Sequence, residues 1–417
     1  MERKYFDFLN KSVTAYHAVK NIKDELIGYG FTELYEGDAW ELTPGGKYFV
    51  CRNGSSVIAF VNRGGSFMIA ASHSDFPSLA VKNSEKMGLY LKLAVEKYGG
   101  GILYSWLDRP LGIAGRAAVS TEKGIELRLV NIDKSVIIPS VAIHMRRDVN
   151  DGLKLNPAKD MLPLAGITDV SLEELVAKAV GADEKSIIAH DLYLYNKAEA
   201  TLAGFDNELI ISPRIDNLIS ARASLLAFLD AKTEATPVLA VFDNEEVGSS
   251  TKQGAASTML HDVLRRISLS EEDYCRRLAG SFMISADNAH ALHPNSPELA
   301  DKDNAPVMGQ GLAVKYNSNQ RYTTDAASDG VFRAICQRAG VKLQKYYNRA
   351  DVAGGSTLGS IANTKVSIST VDIGVPQLAM HSSVETCAVS DVHGLEAALR
   401  AFYNSTLTVK GNEINLA

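Results

Sequence analysis

Pro237-Val-Leu-Ala-Val-Phe-Asp-Asn-Glu-Glu-Val-Gly-Ser-Ser250 is the stretch on which the reading of the fold turns. The apolar run from Pro237 to Phe242 has the length and continuity of a strand covered on both faces. Asp243, Asn244, Glu245 and Glu246 follow at once, then Gly248. Open α/β sheets hold their ligands at the carboxyl ends of central strands, where these polar residues would stand. Adjacent Glu245 and Glu246 repel each other unless a cation or a shared proton intervenes. A metal ion that takes one glutamate as ligand and leaves the other as general base resolves the conflict. An isolated pair of glutamates is more often a solvated acidic loop. The rest of the chain decides between the two.

Working outward, 417 residues exceed one ordinary core, and two domains are expected. A hydrophobic content of 46% and a charged content of 22% are those of a globular protein. The net charge of −6 and the absence of any Lys/Arg-rich run argue against a nucleic-acid partner. Cys51, Cys275, Cys336 and Cys387 are scattered, with no Cys-x-x-Cys pair, as suits buried thiols in a reducing compartment. The opening Met1-Glu-Arg-Lys-Tyr-Phe lacks the apolar core of a secretory signal. No apolar run approaches the length of about eighteen residues that a membrane span needs. A cytoplasmic protein with no membrane partner is the expectation.

Residues 4–28 carry apolar positions at helical spacing. Strands are predicted at Tyr48–Cys51, Ser56–Asn62 and Ser66–Ser72, the last running straight into His73 and Asp75. Between residues 86 and 207 short alternating stretches dominate: Gly101–Leu107, Ala114–Ser120, Ile125–Val130 and Val136–Ile138. A single helix is signalled there by the capping box Ser171-Leu-Glu-Glu174. This region reads as a mostly β insertion between residues 1–85 and 208–417. Strands are then predicted at Pro237–Phe242, Phe282–Ala286, Gly311–Lys315, Lys342–Tyr346 and Lys365–Val371. Helices are predicted at Asn217–Ala231, Met259–Ile267, Gly330–Ala339 and Glu385–Phe402. That alternation is the pattern of a parallel α/β sheet.

Metal-capable residues recur at strand ends and helix starts: His73 with Asp75, Asp216, Glu245 with Glu246, Asp287 with His290, and His381. Alone, an aspartate at a helix start is more often a cap, and a histidine beside a strand is more often structural. Together they offer a mixed nitrogen and oxygen set that suits Zn²⁺, Mn²⁺ or Co²⁺ better than Mg²⁺ or Ca²⁺. Two ions sharing a bridging carboxylate would polarise a carbonyl and activate water.

Ser72-His-Ser-Asp-Phe-Pro77, Ile143-His144, Ser212-Pro-Arg-Ile-Asp-Asn217 and Phe242-Asp-Asn-Glu-Glu-Val-Gly-Ser249 form an ordered series. It continues through Ser285-Ala-Asp-Asn-Ala-His-Ala291, Val314-Lys315, Gln320-Arg-Tyr322, Gly354-Gly-Ser-Thr357 and Met380-His-Ser382. In order and spacing across nearly the whole chain, the series resembles the aspartyl aminopeptidases, a family of dinuclear metallo-aminopeptidases. The resemblance implies a mixed, mainly parallel sheet sandwiched by helices, like that of zinc peptidases and phosphorylase/hydrolase-like proteins. It also implies an inserted, mostly β dimerisation domain.

Residue by residue, it implies that His73, Asp216 and Asp287 hold one divalent ion, and Glu246 and His381 the second, with Asp216 bridging. Zinc is the expected metal, with manganese or cobalt as alternatives. Glu245 becomes the general base, and Asp75 the acceptor of the second His73 N–H. His290 becomes a stabiliser of the oxyanion or of the substrate. Lys315 and Tyr322 would meet an acidic side chain at the amino terminus of a peptide substrate. His144 would reach the neighbouring subunit's site, making a homodimer the unit, within an assembly of up to twelve subunits. The first motif departs from the family by carrying Ser74 and Phe76 near the metals. Gly354-Gly355 lacks a Walker lysine and reads as a turn into a helix, and Tyr98-Gly-Gly-Gly101 reads as a loop without function. The rivals are an aminopeptidase of neutral preference, a carboxypeptidase or N-deacylase on the same metals, and a scaffold that has lost turnover.

Overall fold

The computed structural model describes residues 2–417. A nine-stranded mixed sheet forms the larger unit. Its centre is four parallel strands, Thr236–Phe242, Phe67–His73, Phe282–Ala286 and Ser369–Gly374, with the second lying between the first and third. Ser56–Val61 and Lys47–Arg52 continue one flank antiparallel. Leu312–Tyr316 and Leu343–Tyr347 close the other. All seven residues of Thr236–Phe242 are buried, as its continuous apolar run required.

Side chains alternate between two cores because a strand has a period of two. Val57, Ala59 and Val61 pack with helices Glu2–Lys11, Ala15–Gly28, Ile215–Leu229, Ala326–Ala339 and Val389–Tyr403 on one side. Ile58 and Phe60 pack with helices Met259–Arg266 and Leu358–Ala362 on the other. Full burial of a side chain such as Phe60 contributes about 1.5–3 kcal/mol. The sandwich therefore holds the strand ends, and whatever follows them, in fixed positions.

The second unit is a six-stranded, wholly antiparallel sheet. It packs its own core against helix Leu172–Val180, whose N-cap is Ser171 as the capping box predicted. Ser78–Met87 is one of its strands, and the last long one, Ile187–Asn196, ends before Thr201–Ala203 joins another sheet. Strand pairing thus groups Ser78 to Asn196, against the 86–207 expected. The chain is a mixed α/β protein carrying a separate antiparallel β unit. Among the described residues no helix is long and apolar enough to cross a membrane.

Three predicted elements differ. Gly101–Leu107 is a 3₁₀ turn at Leu103–Trp106, because a short apolar run does not distinguish a strand from a helical turn. Lys365 and Val366 fold back, their N–H groups donating to the Ala362 carbonyl, so the strand begins only at Ser369. Glu385–Ala388 pairs with Leu209–Ser212 and Pro376–Leu378, and the helix starts at Val389. This small five-stranded sheet, which also takes in Ala289–His290, lies beside the site.

Candidate active site

The parallel strands bring their carboxyl ends to one edge, with Phe242 opposite His73 in register. After Phe242 the chain turns at Asn244, a left-handed residue (φ 61°) anchored through its side chain. Asn244 donates to the Tyr98 hydroxyl at 2.8 Å and accepts from Thr251 and Gln253, each at 2.8 Å. That turn aims the backbone N–H groups of Glu245 and Glu246 at the two carboxylate oxygens of Asp75, at 3.1 and 3.2 Å. The Tyr98 hydroxyl donates to Asp75 as well, at 2.7 Å.

Asp75 thus meets His73 and the Glu245–Glu246 turn together. The hydrogen-bond contact of His73 Nδ1 is with the Asp75 backbone carbonyl at 3.0 Å, while the nearer carboxylate oxygen stands at 3.4 Å. Two backbone donors and a phenol also occupy the carboxylate, which holds the Glu245–Glu246 turn.

His73 Nε2 faces Asp287 Oδ1 at 3.5 Å and Asp216 Oδ1 at 3.7 Å. His381 Nε2 faces Glu246 Oε2 at 3.3 Å and Asp216 Oδ2 at 3.5 Å. Asp216 thus presents one oxygen to each histidine. His73, Asp216 and Asp287 form one group with ligand atoms within 4.8 Å of one another, and Asp216, Glu246 and His381 form another. His73 with Glu245 and Glu246 makes a third. His73, Asp216 and Asp287 are buried, and no protein donor reaches Asp216 Oδ1 or Glu246 Oε1. Buried carboxylate oxygens without a donor are costly, and a cation relieves them. The donor set fits zinc.

The electrostatics point the same way. Burial, together with the nearby charges of Asp287, Asp75 and Asp216, pushes the Glu245 carboxyl up to about 8 against the pull of His73. Burial raises Glu246 well above the carboxylate range. Burial works against the His381 cation, yet Asp216 and Glu246 lift it to about 10.

Lys315 is buried on Leu312–Tyr316, its Nζ 3.6 Å from Asp287 Oδ2 and 5.5 Å from the centre of the Tyr322 ring. Asp287 and Lys315 are thus already an ion pair. Tyr322 lies 6.1 Å from Tyr346, whose ring is 6.3 Å from that of His290. A cavity of 340 Å³ opens there, lined among others by His290, Tyr346, Asn348, Gly354, Gln377 and Met380. Its size suits a small ligand. Gly354-Gly355 leads into helix Leu358–Ala362, as read from the sequence. His144 is not in this cluster; it sits exposed on a turn of the second unit beside exposed Ile143 and Met145.

Three glycines, Gly99, Gly100 and Gly374, escaped the sequence reading. The Gly99–Gly101 loop, expected to be idle, lies on the site. A Cβ on Gly99 (φ 73°) would meet Glu246 Cβ at 3.2 Å, and one on Gly100 would meet His381 Nδ1 at 3.5 Å. The next N–H, of Ile102, donates to the His381 carbonyl at 2.9 Å. Gly374 admits the Asp287 carbonyl, which a Cβ would meet at 2.2 Å. Only a fold that brings distant segments together reveals either need.

Comparison with known proteins gives a consistent result. Residues 8–403 match the family described as Aminopeptidase I zinc metalloprotease (M18). A probable M18 family aminopeptidase 2 of Clostridium acetobutylicum is 45% identical, covering 96% of this chain and 98% of its own. A cryo-electron microscopy structure of an Ape4 and Nbr1 complex superposes with a TM-score of 0.92 at 34% identity, covering 96% and 84%. The S. cerevisiae mApe1 dodecamer superposes with a TM-score of 0.85 at 26% identity, covering 96% and 95%. The chain belongs to the M18 family of zinc metallo-aminopeptidases, hydrolases that act on peptide bonds.

Proposed function

We propose that this aminopeptidase removes Asp or Glu from the free amino terminus of peptides, using two zinc ions and Glu245 as general base. The observation that carries the reading is the pair of three-residue groups that meet at Asp216. His73, Asp216 and Asp287 would hold one ion; Asp216, Glu246 and His381 would hold the other. When bound, the ions supply Lewis-acid polarisation of the scissile carbonyl and acidify water. Glu245 takes the proton of the attacking water and passes it to the leaving amine. Its elevated pKa falls toward neutrality once cations balance the surrounding carboxylates. His290, at the cavity, steadies the developing oxyanion or the bound peptide. Lys315 and Tyr322 receive the acidic side chain: with an ion on Asp287, the Lys315 ammonium is free to pair with substrate.

His144 would complete the site of a neighbouring subunit, with the antiparallel unit as the dimerisation domain. Support comes from the exposure of His144 and from exposed Ile125, Leu127 and Leu129 on one face of Gly124–Val136. The dodecamer formed by the yeast neighbour supports a homo-oligomer larger than the dimer. Unchanged kinetics in His144→Ala would remove the cross-subunit part of the reading. The four unpaired cysteines support a cytoplasmic location.

The test is release of the amino-terminal residue from matched Asp-, Glu-, Leu- and Lys-initiated peptides, with enzyme stripped of metal and then reloaded. Preference for Asp and Glu that returns only with metal is expected. Metal-dependent release of Leu with none of Asp would overturn the acidic specificity.

Metal binding itself should depend on pH. The flanking carboxylates push the His381 imidazolium up to about 10, and burial raises Glu246 well above the carboxylate range. A ligand must lose its proton to coordinate, so apparent affinity rises with pH toward 10. Calorimetry at pH 7 in buffers of different ionisation enthalpy should record net proton release, about one proton or more per pair of ions. Net uptake would contradict the ligand assignment of His381.

A further inference from the structure

Two buried carboxylates outside the ligand set each grip the backbone of two residues of the site. Asp75 does so for Glu245 and Glu246, as described. Glu385 does so for Asp216 and His381. Its Oε2 accepts the Asp216 N–H at 2.9 Å, and its Oε1 accepts the His381 N–H at 2.9 Å and Gln377 Nε2 at 3.3 Å.

Asp216 lies in the first turn of Ile215–Leu229 with a non-helical backbone (φ −81°, ψ 112°), and His381 sits in a left-handed turn (φ 68°), so nothing local fixes one against the other. Glu385 is itself rigid. It pairs opposite Ser212 in the small sheet and is buried. Gln377 is held by Asn288 at 2.8 Å, and Asn288 also donates to the Ile215 carbonyl at 3.0 Å, one residue before Asp216.

We infer that Glu385 is a positioning residue, which sets the spacing between the bridging Asp216 and His381 and thereby the affinity for the second ion. The inference rests on the ligand sets proposed above. An amide at this position keeps the shape but carries only one acceptor oxygen, so one of the two backbone N–H groups loses its partner. The first ion also uses His73 and Asp287, which Glu385 does not touch.

The experiment is a cobalt titration of the metal-stripped, full-length protein, followed by its visible absorption, for wild type and Glu385→Gln. Wild type should take up two ions. Glu385→Gln should bind one of them about 10–100-fold more weakly and the other nearly as wild type, in the range found for residues that orient ligands. Activity lost at limiting metal should return in excess metal. Equal weakening of both ions would mark a merely structural role, and wild-type binding of both in a folded variant would refute the inference.

If Glu385→Gln does not fold, Gln377→Ala carries the test. It should weaken the same ion by a smaller factor, and unchanged binding of both ions would contradict the proposal. A wild-type protein that takes up a single ion would bring down the two-ion reading, and this inference with it. Two ions in wild type and two unaffected ions in the variant would bring down this inference alone.

Discussion

Glu245→Gln should lower kcat by about 10²–10⁴-fold, the usual contribution of a positioned proton-transfer group. The substitution is nearly isosteric, and the turn that carries it is held by backbone bonds to Asp75, which the amide leaves in place. KM should change little and two ions should remain bound, since neither proposed ligand set uses Glu245. Metal content by mass spectrometry and steady-state kinetics on an Asp-initiated peptide check both halves. Glu245 also lies within ligand distance of His73 and Glu246. Loss of an ion in Glu245→Gln would show that it is a ligand, and near-normal turnover would sink the general-base assignment.

Lys315→Met should collapse acidic preference. A charge-assisted pair with a substrate carboxylate is worth ~1.5–3 kcal/mol, so the ratio of kcat/KM for Asp over Leu should fall by about 10–150-fold. The metal site should survive. Lys315 lies 3.6 Å from Asp287, and removing a positive charge there favours the binding of cations. The expected pattern is therefore retained metal, reduced activity on Asp and Glu, and undiminished activity on Leu. Equal loss on all peptides would show that Lys315 serves the site through Asp287 and not through the substrate.

How much of this was legible in the sequence depended on distance along the chain. His73, Glu245, Glu246 and Asp287 follow apolar runs of strand length, and the alternation of such runs with helical segments made the parallel sheet and the convergence of these residues readable from local pattern. Asp216 and His381 stand where no strand announces them; the sequence marks them only as metal-capable residues at helix starts, and resemblance to a known family assigns them their ions. For Asp75, proximity in sequence suggests the His73 imidazole as partner, and the carboxylate does stand 3.4 Å from Nδ1. What the sequence does not show is that the same carboxylate also answers donors 170 and 171 residues away.

Glu385 was folded into a helix prediction because four residues of a short strand run directly into helical periodicity at Val389. The Gly99–Gly101 loop gave no signal, since its purpose is the absence of side chains against Glu246 and His381. The insert was recognised from its alternating texture, but its first strand, Ser78–Met87, continues without a break from the His73 motif.

The measurement that tests the central claim most directly is anomalous diffraction at the zinc edge from crystals of the zinc-loaded enzyme. Two peaks about 3.5–4 Å apart are predicted, one against His73 and Asp287, the other against Glu246 and His381, with Asp216 between them. A single peak, or two peaks that do not share Asp216, would contradict the account.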